Sequence, residues 1–144
     1  MAERANIVDK FGESYTIELF ESEPFFALRV YRRGVQVGSA RCLVENAEVE
    51  LVDIRISGRL VRQNSWSVLM SPFRRFMAKN YQSRGIGSKL LKEVIAYSRE
   101  LGALSLHGSL AGHTELLARW FARHGFEVDS STGKILLHLD SGHH

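Results

Sequence analysis

Cysteine is almost missing from this chain: Cys42 stands alone among 144 residues. One thiol excludes an intramolecular disulfide and makes a reducing cytoplasm the expected compartment. Long apolar runs are missing as well. No stretch approaches the roughly 20 residues that span a bilayer, so no membrane partner is expected. The N-terminal region carries Glu3, Arg4, Asp9 and Lys10 with no apolar block between them, which is unlike an ordinary secretory signal. The six histidines show no metal-ligand spacing, and no metal site is expected. Repeats and low-complexity linkers are absent. So is a strong charge excess: 19 basic against 16 acidic residues leave +3, too little to argue for nucleic acid.

What remains has the composition of an ordinary globular domain, with 44% hydrophobic and 24% charged residues. The length predicts one domain over 1–144, able to hide roughly 70% of the surface of its unfolded chain without disulfides or metal. Ser14 to Phe20 alternates and is rich in aromatic and β-branched residues, as strands are. Phe25 to Tyr31, Val35 to Val44 and Glu48 to Ile56 read the same way, with breaks at Arg33-Gly34 and Asn46-Ala47. Such short breaks predict an antiparallel meander. From Gly85 the period changes. Ile86, Leu90, Leu91, Val94, Ile95 and Leu101 fall on one helical face, and Gly102 is a helix stop. Ala103 to Leu110 reads as a buried strand. Thr114 is an N-cap candidate for a second helix, Glu115 to His124, ended by Gly125. Phe126 to Val128 reads as a short strand, and Lys134 to Leu139 as the strand that closes the sheet. The fold class is α/β, in the mixed α+β sense.

Between the halves lies an insert at about 57–80. It holds Arg59, Arg62, Arg74, Arg75 and Lys79 with no acidic residue, together with Trp66, Phe73, Phe76 and Met77. A segment of this length is either a functional loop or lid, partly helical from Pro72, or further sheet and surface cover.

The stretch YQSRGIGSKLL, Tyr81 to Leu91, places two glycines where a helix begins. The first amides of a helix lack partners and its dipole is positive at that end. Without side chains there, phosphate oxygens can approach the N–H groups closely. Ser83, Arg84, Gly85, Ile86, Gly87 and Ser88 can supply such donors. A Walker loop would need a different spacing before Gly-Lys-Ser/Thr, and a dinucleotide fingerprint would need glycine where Leu90 stands.

The wider pattern is more specific. Gln82-x-x-Gly85-x-Gly87 precedes an amphipathic helix. A strand follows, and then a second helix ending in Ala118-Arg119-Trp120-Phe121-Ala122-Arg123-His124-Gly125-Phe126. From Gln82 to Val128 this resembles the GNAT superfamily of acetyl-CoA-dependent N-acetyltransferases, whose signature is Q/R-x-x-G-x-G/A. The resemblance implies a mostly antiparallel central sheet with helices on its faces and a cofactor cleft between two splayed parallel strands. It implies acetyl-CoA as cofactor, its pyrophosphate cradled by Gln82, Ser83, Arg84, Gly85, Ile86, Gly87 and Ser88. The splayed strands would be Glu48 to Ile56, with Ile54 and Ile56 beside the cofactor, and Ala103 to Leu110. A second register would use Pro72 to Ala78 instead. The Ile56 amide would donate to the acetyl oxygen. The two helices that the family usually has after its first strand are not visible in the sequence.

Transfer to an amine needs a base for the ammonium proton. Glu50 matches the strand position where some family members carry a catalytic glutamate, and Glu48 shares its face. Asp53, by strict alternation, points to the other face and is the runner-up. The usual tyrosine acid in the second helix is replaced by Phe121; Tyr81, Ser109 and His124 are alternatives. Cys42 reads as core rather than nucleophile, and His107 as a structural histidine. The implied partners are a small-molecule or protein amine acceptor, with a homodimer as a candidate assembly. Two competing readings are a non-catalytic acyl-CoA-binding module, suggested by Phe121, and a binder of nucleic acid or anionic lipid through the insert. No recognition motif accompanies the latter.

Overall fold

The computed structural model describes residues 2–9, 11–56, 85–110 and 115–139. The insert at 57–80, the alternative strand at 72–78, Tyr81 and the candidate cap Thr114 lie outside them.

The first half is a meander of five antiparallel strands: β1 Ala2–Val8, β2 Ser14–Ser22, β3 Phe25–Arg32, β4 Val35–Glu45 and β5 Glu48–Ile56. Tight turns set the registers. Arg33 and Gly34 both have positive φ, as do Asn46 and Ala47, which suits the twist of two-residue hairpin loops. Helix α1, Ile86–Glu100, crosses over to β6, Ser105–Ser109, which lies parallel to β5. Helix α2, Glu115–Arg123, leads to β7, Glu127–Asp129, and β8, Lys134–His138. The sheet order is β1-β2-β3-β4-β5-β6-β8-β7. The last strand therefore pairs with β6 and leaves β7 at the edge, whereas the sequence order suggested that β8 would close the sheet.

β1 was not visible in the sequence pattern. Its residues alternate weakly and stay largely exposed. Tertiary contacts hold it instead: Arg4 forms ion pairs with Glu93 and Glu100 of α1 and lies 5.1 Å from the centre of the Tyr97 ring.

One face of the sheet carries the core. Ile17, Leu28, Val30, Ala40, Cys42, Val49, Ile54 and Ile56 are nearly inaccessible. The α1 stripe of Ile86, Leu90, Leu91 and Val94 is fully buried with them. Each such aliphatic side chain contributes about 1.5–3 kcal/mol by leaving water. Phe26 meets Tyr97 edge to face at 4.7 Å. Leu101, expected on this stripe, is exposed because the helix ends at Glu100 and Leu101 forms the C-cap. The opposite face of β5 and β6 presents Glu48, Glu50, Asp53 and His107.

Candidate functional site

The parallel pair of β5 and β6 aligns Glu48 with Ser105, Val49 with Leu106, Glu50 with His107 and Leu51 with Gly108. The pairing stops there. β5 runs on to Ile56, while β6 ends one residue later at Ser109, still paired with β8, and the Leu110 amide donates to the Gly133 carbonyl at 2.7 Å. Gly108 permits the last close approach: a Cβ on it would stand 3.1 Å from the Leu51 carbonyl oxygen. The two strands expected to part are thus neighbours and parallel.

The end of the pairing coincides with a β-bulge. Leu51 pairs with Cys42 and Asp53 with Arg41, so Val52 has no partner of its own on β4. An extra residue bends the strand and resets its alternation. This corrects the expectation for Asp53. Val49, Leu51, Ile54 and Ile56 are buried on one side, so Asp53 shares the other side with Glu50. It is already engaged: Arg41 Nη2 donates to Asp53 Oδ2 at 2.9 Å and Arg41 Nε to the same oxygen at 3.2 Å, with Arg55 Nη2 at 3.8 Å. Among the described residues Glu50 makes no such side-chain bond, which leaves it the freer proton acceptor.

Glu50 and His107 line one open cavity of about 460 Å³ with Ser109, Glu127, Asp129 and Lys134. His107 is 38% exposed, and its Nε2 lies 3.6 Å from Glu48 Oε1, an ion-pair distance rather than a hydrogen bond. The sequence reading treated His107 as structural. Its alternation with Leu104 and Leu106 was the available signal that it faces away from the core, and its place beside Glu50 follows from the parallel pairing.

Cys42 is fully buried, and burial first, then the Asp53 charge, raises its thiol far above the ordinary range. A thiolate nucleophile is therefore disfavoured. Phe121 is likewise inaccessible, edge to face with Trp120 at 4.8 Å and with Phe126 at 5.2 Å.

Helix α1 opens on Gly85, whose φ of 80° is a left-handed conformation that glycine adopts without strain. Among the described residues no side chain caps this end, its first turn holds no acidic residue, and Ile86 and Gly87 are buried. The amides of Ile86, Gly87 and Ser88 belong to the first turn, where α-helical geometry provides no acceptor. Gly87, at the second helical position, adds no side chain. A helix start with no acidic residue in its first turn and glycine at its second position suits phosphate oxygens, and so fits the diphosphate of coenzyme A. Gln82, Ser83 and Arg84 lie outside the described residues. Ile54 and Ile56 direct their side chains into the core, so any part they take in a cofactor site is through their backbone.

Position completes the arrangement. The C-terminal end of α1 reaches the start of β6 within a few residues, and the Leu104 amide donates to the Ala47 carbonyl at the start of β5. The helix is 15 residues long, so its N-terminal end lies about 22 Å away at 1.5 Å per residue. That is the end of the sheet where β5 and β6 part. His124, after α2, reaches the same end: its Nε2 lies 3.2 Å from Ser88 Oγ.

A family model described as an acetyltransferase (GNAT) domain matches residues 22–128. No curated protein matches the sequence. Among solved structures, the fold is similar to that of the PaiA N-acetyltransferase from Thermoplasma acidophilum in complex with coenzyme A. That match has a TM-score of 0.59 and 14% identity, and covers 80% of this chain and 61% of the other. A ribosomal-protein alanine N-acetyltransferase from Escherichia coli matches with a TM-score of 0.61 and 14% identity, over 85% of this chain and 74% of that one. A cAMP-binding acyltransferase from Mycobacterium smegmatis matches with a TM-score of 0.67 and 10% identity, over 94% of this chain and 48% of that one. At these identities the likeness is one of fold. The chain spans less than two thirds of the Thermoplasma and Mycobacterium chains.

Proposed function

Because the chain belongs to the GNAT acetyltransferase family, we propose that it is an acetyl-CoA-dependent N-acetyltransferase acting on a primary amine of a small molecule or protein. One observation carries this reading. A glycine-bearing helix start with no acidic residue in its first turn lies toward the end of the sheet where the β5–β6 pairing stops beside a bulge, with Glu50 on the opposite face and without a side-chain bond among the described residues.

In this reading the chain acts as one domain. The amides of Ile86, Gly87 and Ser88 hold the diphosphate, with Gln82, Ser83, Arg84 and Gly85 completing the loop. The backbone of β5 beyond Val52, at Ile54 and Ile56, lies along the pantetheine arm, and the Ile56 amide is the donor for the acetyl oxygen. When bound, acetyl-CoA supplies the acetyl group as a thioester. Holding the amine beside it contributes several kcal/mol through proximity. Glu50 takes the proton of the incoming ammonium, with His107 as a second acceptor in the same cavity. Asp53, tied to Arg41, orders the arginine rather than serving as base. Glu50, Glu127 and Asp129 outnumber Lys134 in the cavity lining, which favours an acceptor that arrives as a cation.

A second reading, a non-catalytic acyl-CoA-binding module, is supported by Phe121, which has no proton to donate. The test is thiol release from acetyl-CoA across a panel of primary amines. Amine-dependent release supports the enzyme. Binding of acetyl-CoA without release for any amine favours the second reading.

A further inference from the structure

We propose that Ser88 and His124 form a hydroxyl–imidazole relay that grips the diphosphate of coenzyme A and couples its binding to uptake of one proton by His124. The inference rests on the cofactor reading above and concerns residues to which that reading gives no such role.

Ser88 lies in the first turn of α1, and its side chain leans back toward the open end of the helix. Its Oγ is 3.2 Å from His124 Nε2. With the proton on Nε2, the imidazole donates to Oγ and leaves the serine O–H free to donate to a phosphate oxygen. With Nε2 bare, the serine donates to the ring and the phosphate loses that donor. A bound anion therefore selects the Nε2–H form. It favours the imidazolium further, because a diphosphate carries charge opposite to the ring.

The free protein favours the neutral ring. His124 is half-buried against Trp120, whose ring centre is 4.9 Å away. Burial first, then Lys92 of α1 and Arg123 of α2, holds its pKa below the ordinary imidazole value. The described carboxylates of these elements have other partners. Glu93 and Glu100 of α1 pair with Arg4, Glu127 of β7 faces His138, and Asp129 accepts from Ser131. Glu115 stands at the far end of α2. A bound diphosphate would supply the negative charge that this cluster lacks.

The sign follows by linkage. If the bound state raises the His124 pKa, affinity strengthens as pH falls through the interval between the free and bound values. It levels off where the ring is protonated in both states. One proton limits the change to about tenfold per pH unit.

The test is calorimetric titration of dephospho-coenzyme A at pH 6, 7 and 8, in buffers of different ionisation enthalpy. This probe keeps the diphosphate and lacks the 3′-phosphomonoester, whose own titration near pH 6 would obscure the reading. The wild type should take up as much as one proton near neutral pH and bind more tightly as pH falls. His124→Gln and Ser88→Ala, each shown folded by circular dichroism, should bind several-fold more weakly. Uptake should vanish in His124→Gln. Binding without proton uptake in the wild type, or equal uptake in His124→Gln, overturns the relay alone. No binding to the folded wild type overturns it together with the cofactor reading.

Discussion

Glu50 and His107 are direct neighbours across the parallel pair of β5 and β6, and both line one open cavity. Fifty-six positions of chain separate them in sequence, so only the sheet brings them together. A carboxylate with no side-chain bond among the described residues, beside a partly exposed imidazole, is a pair suited to move a proton.

From that pair comes the first prediction. Glu50→Gln should lower kcat/KM for an accepted amine by about 10²–10⁴-fold, the usual contribution of a general base. Acetyl-CoA affinity should stay within twofold. His107→Gln should cost less. Steady-state kinetics read both. Unchanged kcat/KM in Glu50→Gln would remove it as base.

Val52 supports a second prediction. It is the residue without a partner on β4, and deleting it leaves Leu51 and Asp53 on their present faces. The shortened chain should fold with a regular β4–β5 ladder and yet bind acetyl-CoA at least tenfold more weakly, because the bend where β5 leaves β6 is lost. Circular dichroism and calorimetry measure the two properties separately. Wild-type affinity in the deletion variant would show that the bulge is not part of the cleft.

Phe121 occupies the position of the usual tyrosine acid, but its ring is sealed between Trp120 and Phe126. Phe121→Tyr should therefore not raise kcat. The buried hydroxyl, if unpaired, should destabilise the fold by about 1–3 kcal/mol, read by denaturant unfolding. A rise in kcat with unchanged stability would mean that this position reaches the reacting groups.

Much of the arrangement was legible in the sequence because it is local. Turn residues such as Arg33-Gly34 marked the hairpins, the apolar spacing from Ile86 to Ile95 marked α1, and Gly85 and Gly87 marked its open start. The features that were not legible depend on partners distant in sequence. β1 is a weakly patterned edge strand held by Arg4 against Glu93 and Glu100. The bulge at Val52 left no turn residue or glycine in β5, so alternation alone placed Asp53 on the wrong face. His107 gained its neighbour Glu50 from strand pairing, and β8 its place beside β6 from the order of the sheet. The contact between Ser88 of α1 and His124, just after α2, has no local signature.

The measurement closest to the central claim is calorimetric titration of acetyl-CoA into the wild type and into Gly87→Trp, with folding of both verified. A bulky side chain at this helix start should block the phosphate oxygens. The account predicts micromolar binding by the wild type and at least a hundredfold loss in the folded variant. No binding by the wild type at millimolar acetyl-CoA, or equal binding by both, would contradict it.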